Sequence, residues 1–215
     1  ATQQFTRAST LICACEYIRQ DGQKRKSLYK NYDLGDDPIT IGLWIGGAHT
    51  PNKVKGRGDN YADNYAETCY NNLSDATVKN VDSMKERYNK FQVLKCPWCG
   101  TKLTKEAVDK KLVGNWGYRV IRGKCTIHCT QEGCDFESQL PIQVVDEELY
   151  KNPPTLLFAT VDKFAMLPWY KETGSFFAVD SENRAPELII QDELHLISGP
   201  LGSMVGIYET AIDYL

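Results

Sequence analysis

Histidine and methionine are scarce in this 215-residue chain, at three residues each. With imidazoles only at His49, His128 and His195, an open catalytic zinc site finds few nitrogen ligands, which argues against a zinc hydrolase. Long uncharged runs are missing too. The two longest, Pro38 to Asn52 and Leu194 to Tyr208, hold 15 residues each. Both contain Gly and Pro and fall short of the roughly 20 apolar residues of a membrane span. Neither sign of charge prevails: 25 Lys+Arg against 28 Asp+Glu give a net −3 and a pI near 5.7. Bulk electrostatics therefore advertise no nucleic-acid partner. No basic-plus-apolar start marks an export signal, so a soluble, cytoplasmic protein without a membrane partner is expected. A phosphate loop of the form G-x-x-x-x-G-K-[ST] is also absent. Its nearest approach, Gly117 to Lys124, has one residue too many between its glycines and no hydroxyl residue after Lys124. On its own the chain is expected to bind ATP poorly and is not a complete ATPase.

What is present is ordinary globular composition, 42% hydrophobic and 25% charged, together with eight cysteines. Five of these lie between Cys96 and Cys134. A disulfide scaffold would be shorter and would spread its cysteines along its length, so the clustering points to metal in a reducing compartment. Cys96-Pro-Trp-Cys99-Gly and Cys129-Thr-Gln-Glu-Gly-Cys134 are two pairs, with Gly100 and Gly133 placed to turn the chain. Four thiolates of this kind close a tetrahedral structural Zn²⁺ site, and strand-like flanks make it a zinc ribbon. Cys125 and His128 compete poorly as ligands. An extended chain puts Cys125 roughly 13 Å from Cys129, and His128 points to the opposite face.

Such a metal staples a module too small to hold itself together. Residues 101–124 add another reading. They carry Lys102, Lys105, Lys110, Lys111, Arg119, Arg122 and Lys124 against Glu106 and Asp109, a local +5. Trp98, Trp116 and Tyr118 offer stacking faces beside that charge, as a nucleic-acid surface would. A solvated charged face is the simpler alternative.

Along the chain, Phe5, Ala8, Leu11, Ile12, Cys15 and Ile18 recur at helical spacing, with Gly22 as a stop. Cys13 and Cys15 read as small core residues. Ile39–Ile45 is a buried strand ended by Gly46-Gly47. Ser74 or Asp75 caps a helix whose apolar side is Val78, Val81, Met84, Tyr88 and Phe91. Phe136, Leu140, Ile142 and Val144 line one side of a ribbon strand that places Pro141 at an edge. Leu188–Gln191 is an apolar strand delivering Asp192-Glu193-Leu194-His195 at its carboxyl end. Asp192 would hold Mg²⁺ and Glu193 would polarise the attacking water, with His195 linking the site to its neighbours. Val144-Val145-Asp146-Glu147 imitates this motif, but Leu149 replaces the histidine, and a structural role is expected.

Four ordered blocks, TQQFTRASTLICACEYIRQ, IGLWIGG with the later TPN, PTLLFATVDKFAMLPW and ELIIQDELHLISGPLGSMVGIYE, resemble the helicase subunit of the bacterial DISARM anti-phage system. The resemblance runs from about Thr2 to Tyr214. It implies a superfamily-2 DExH helicase: an α/β, partial RecA-like domain of the P-loop NTPase type with a parallel sheet. Residues 1–55 and 149–215 would be its two parts, 56–93 a helical connector and 94–148 the zinc-ribbon insert. The catalytic box would be Asp192, Glu193 and His195. The DNA contacts would be Arg7 in the block with Gln3 and Gln4, the loop Gly46, Gly47 and Thr50, and Thr160, Asp162 and Lys163. Thr160 and Asp162 serve equally as helix caps. Phe164, Leu167 and Trp169 are expected in the core. The phosphate loop is expected upstream of Ala1 and a second motor domain downstream of Leu215. ATP and Mg²⁺, single-stranded DNA and other defence components follow as cofactors and partners of the complete protein. A zinc-ribbon scaffold with a vestigial acidic motif is the alternative.

Overall fold

A computed structural model describes residues 2–24, 28–31, 33–56, 63–164, 167–179, 184–192 and 210. No Gly or Pro interrupts Thr2 to Asp21, and the first element is the helix α1 (Thr2–Gly22). Its buried stripe is Phe5, Ser9, Ile12, Cys13, Glu16 and Arg19. Leu11, expected inside, is 63% exposed. The helix is turned toward an ion pair instead. Glu16 accepts Arg19 Nε and Nη2 at 2.7 Å each, Gln20 Nε2 at 2.8 Å and the Ile39 N–H at 2.8 Å. Arg19 Nη1 donates onward to the Asp36 carbonyl at 3.0 Å. This network ties α1 to the approach of strand β1 (Ile41–Trp44).

The chain divides into two compact units, Ala1–Phe158 and Ala159–Leu215. In the first, β1 is central in a parallel three-stranded sheet with β6 (Ile142–Gln143) on one side and β7 (Leu156–Ala159) on the other. Ile41 pairs with Ile142 and Gly42 with Gln143. Every residue of β1 is buried, as a strand covered on both faces requires. Gly42 has no room for a side chain: a Cβ there would lie 2.5 Å from Leu149 and 2.6 Å from Pro154. Pro141, lacking an N–H, stands just before β6, and its carbonyl accepts from Ile41.

Two helices follow β1, α2 (Ala66–Ser74) and α3 (Val81–Tyr88). Ser74 and Asp75 end α2 rather than capping a helix. The start of α3 is shaped by Asn80, whose Oδ1 accepts the Thr77 N–H at 2.6 Å and hydroxyl at 2.9 Å. Val81, Tyr88 and Phe91 are buried as their spacing predicts. α2 has no side-chain cap; the carbonyls of Lys53 and Val54 accept the N–H groups of Ala66 and Glu67.

Next come two hairpins, β2 (Glu106–Val108) with β3 (Lys111–Val113), and β4 (Tyr118–Ile121) with β5 (Lys124–Ile127). Each turns on two positive-φ residues, Asp109-Lys110 and Arg122-Gly123, the geometry that suits the twist of antiparallel strands. Gly117–Lys124 is thus part of a hairpin and no phosphate cradle. Phe136, Leu140, Ile142 and Val144 are buried, but they do not form one ribbon strand: Ile142-Gln143 joins the parallel sheet. Val144-Val145 then leads into α4 (Asp146–Lys151), so the imitation acidic motif opens a helix. The carbonyls of Pro51 and Asn52 accept the Asp146 and Glu147 N–H groups.

In the second unit, α5 (Val161–Phe164) follows β7, with the Lys163 and Phe164 N–H groups donating to the Thr160 carbonyl. Two 3₁₀ turns follow, Leu167–Trp169 and Lys171–Phe177, the second closed by Ala178 at φ 60°. Trp169, expected in the core, is 78% exposed. The strand expected at Leu188–Gln191 is not formed, and Leu188 and Ile190 are 75% and 79% exposed. A strand needs a neighbour to take its backbone N–H and C=O groups, and none of the described strands pairs with this segment. Among the described residues no helix is long and apolar enough to cross a membrane.

Candidate metal centre

Two knuckles build this site. In the first, Cys96 N–H donates to the Thr101 carbonyl at 2.8 Å and Gly100 N–H to the Cys96 carbonyl at 2.9 Å. Gly100 sits at φ 80°, a conformation that favours glycine. In the second, Cys129 N–H donates to the Phe136 carbonyl at 2.9 Å and Cys134 N–H to that of Gln131 at 3.2 Å, with Gly133 at φ 77°. The result brings the sulfurs of Cys96, Cys99, Cys129 and Cys134 within 4.8 Å of one another, with Cys99 and Cys129 in contact at 3.4 Å. A tetrahedron with metal–sulfur bonds of about 2.3 Å has edges of about 3.8 Å, so the donor set fits Zn²⁺. Neither Cys125 nor His128 belongs to the group. Both Cys125 and Cys13 are buried in the core, and burial holds both thiols up, Cys13 at about 12.

The electrostatics are those of a site short of positive charge. Burial pushes the Cys129 thiol up and Cys134 up to about 11. Burial acts the same way on Cys99, but hydrogen bonds from Thr101, Cys129 and Cys96 outweigh it and bring that thiol down to about 6. The cluster thus accommodates a thiolate at Cys99 easily and holds protons on Cys129 and Cys134. A dication would displace those protons, and this is why thiolate sites release protons on binding metal. Thr101, whose hydroxyl lies 3.3 Å from Cys99 Sγ, is not foreseen from the sequence; its place two residues after a knuckle cysteine is the available signal.

Trp98, between the first two cysteines, docks the knuckle on α1. Its ring stacks on Tyr17 at 5.1 Å and meets Phe136 edge-on at 5.6 Å, and its N–H donates to Asp135 at 3.0 Å. Trp116 and Tyr118 are buried, Tyr118 against Phe91 at 4.4 Å with its hydroxyl on the Val93 carbonyl. These rings are committed to packing. The stacking faces expected beside the basic segment are not presented.

The remaining expected site residues are distributed over the two units. Gln3, Gln4 and Arg7 lie on the exposed side of α1. Gly46 and Gly47 follow the carboxyl end of β1, where Thr50 is buried and donates its hydroxyl to the Ile45 carbonyl at 3.2 Å. In the other unit, Thr160 and Lys163 are half-buried and Asp162 is exposed at the start of α5. Asp192 is exposed; Glu193 and His195 lie outside the described residues. In the imitation motif, Glu147 accepts the Val54 N–H and pairs with Lys151, and the following Glu148 accepts the Cys125 N–H, which are structural duties.

Together these features define an α/β protein with a partial RecA-like parallel sheet, interrupted by helices and a four-cysteine ribbon. No protein-family profile matches the chain. The whole chain aligns with 33% identity over 245 residues with DISARM protein DrmA of Bacillus paralicheniformis. It spans 20% of that relative's length.

Proposed function

We propose that this chain is part of the first motor domain of an ATP-dependent DNA helicase or translocase, acting with other DISARM components in cytoplasmic defence against phage. The observation that carries the reading is the similarity to DrmA along the entire chain. The fold agrees with it: a parallel sheet whose strand β7 leads directly into Thr160-Val161-Asp162-Lys163. In this reading the Thr160 hydroxyl, Lys163 and backbone N–H groups at the start of α5 hold phosphates of a single DNA strand, with Asp162 shaping the turn. Arg7 and the Gly46-Gly47 loop are further DNA contacts in this reading.

Asp192 would hold Mg²⁺, Glu193 would polarise the attacking water, and His195 would connect that site to the strand-binding blocks. ATP supplies the free energy of stepping when bound. The chain's own residues include no glycine–lysine phosphate loop, so hydrolysis is proposed for the full-length protein. Zinc on Cys96, Cys99, Cys129 and Cys134 would be structural, since four thiolates leave no position for a reacting water.

Substituting Arg7→Ala and Lys163→Ala in the full-length protein tests the strand contacts. Each is expected to weaken single-stranded DNA binding and blunt the stimulation of ATP hydrolysis by DNA. Undiminished affinity and stimulation in both would contradict the assignment. The four-cysteine ribbon keeps a second reading in view, a zinc-bearing scaffold with a vestigial acidic motif, for which there is no hydrolysis to stimulate.

A further inference from the structure

Beside the four-cysteine cluster lies a cleft of about 820 Å³ that the preceding roles leave unused. Lys105, Asn115, Trp116, Arg119, His128 and Thr130 line it. The β4–β5 register explains how two of these meet. Arg119 pairs across from Thr126, and His128 follows two residues later, so all three alternate away from the buried Tyr118, Cys125 and Ile127. Arg119 and His128 of that outer face line the cleft, which the edge of the buried Tyr118 also borders.

Charge and hydrogen bonding in this cleft are both incomplete. Of the basic residues in segment 101–124, Lys102 is paired, with Glu106 at 2.8 Å; among the described ion pairs Lys105 and Arg119 have no partner. Trp116 Nε1 and His128 Nδ1 are buried without a hydrogen-bond partner among the described residues. An indole N–H can only donate, and a buried donor without an acceptor is costly. Two acids, Asp135 and Glu137, also line the cleft; they accept from Trp98 Nε1 and the Gly133 N–H respectively and keep their negative charge, so an anion is held on the Lys105 and Arg119 part of the lining. Two unpaired cations, an amide and a hydroxyl give this part of the lining a set of donors that suits an anion offering several oxygens.

We propose that this cleft receives a phosphate group of a single-stranded DNA backbone, making the ribbon a strand contact of the motor. The proposal rests on the DNA-motor reading and extends it to the insert. Since Trp116 and Tyr118 are buried, the contact holds the backbone and does not read bases.

Binding of a labelled single-stranded oligonucleotide to the full-length protein, across a salt series, tests this. The double variant Arg119→Gln/Lys105→Gln is expected to keep its zinc and bind on the order of tenfold more weakly. Its plot of log affinity against log salt is expected to flatten by about 0.7 for each phosphate no longer neutralised. Unchanged affinity and slope overturn the cleft and leave the motor standing, whereas no binding by the wild type overturns both. Acetylation footprinting of the wild type needs no variant: bound DNA is expected to protect Lys105, and equal modification with and without DNA overturns the proposal.

Discussion

Glu16 is a carboxylate buried in a helix face that would otherwise pass for apolar, and it is satisfied four times over by Arg19, Gln20 and Ile39. Burial pushes its pKa up, but the hydrogen bonds of Arg19, the Ile39 N–H and Gln20 outweigh this and hold it below the ordinary carboxylate value. Because the folded value is the lower one, the stabilisation is complete above the ordinary carboxylate range and is lost as pH falls through the folded value. Glu16→Gln leaves the Arg19 guanidinium buried without its counter-charge, a change that costs about 3–5 kcal/mol. Amide hydrogen exchange in α1 is expected to accelerate by about a hundredfold or more, and the acid-side loss of protection to become shallower. Wild-type exchange rates in the variant would contradict this role. The pair also explains why the buried face of α1 is only partly legible in its residues. Apolar spacing identifies Phe5 and Ile12 but sets Leu11 inside, because acid and base three residues apart on a helix look like surface.

Among the elements, the ribbon is the most legible. Knuckle spacing is local: two cysteines and a glycine within five or six residues set the turn, so no distant contact is needed to foresee it. α2 is not foreseen although Ala66, Cys69 and Leu73, all buried, stand at helical spacing; its start depends on carbonyls of Lys53 and Val54 rather than on a capping side chain. Ile142-Gln143 reads as part of the ribbon because alternation says which residues are buried, not which strand they pair with. Since metal affinity and folding are coupled in small thiolate modules, Cys99→Ser is expected to lower zinc content and speed exchange in β4 and β5. Trp98 ties the knuckle to Tyr17, so its emission is expected to change as well. Full zinc content with unaltered exchange in the variant would remove Cys99 from the site.

At the scale of the whole molecule the fold is α/β, with a parallel sheet and a ribbon-like segment that gathers four cysteines. The acidic motif follows Leu188–Ile190, which does not pair with the described strands. Apolar composition there marks a strand, but a strand is completed by neighbours, and composition does not provide them. The proposed motor function accordingly rests on similarity to DrmA and on the motif residues rather than on a nucleotide site visible in the fold.

ATP hydrolysis by the full-length protein, with and without single-stranded DNA, wild type beside Glu193→Gln, tests the central claim most directly. DNA-stimulated turnover in the wild type, abolished by the substitution while nucleotide binding persists, is the expected result. Turnover that survives Glu193→Gln, or none in the wild type under any condition, would contradict the motor; the latter result would leave a zinc-bearing scaffold.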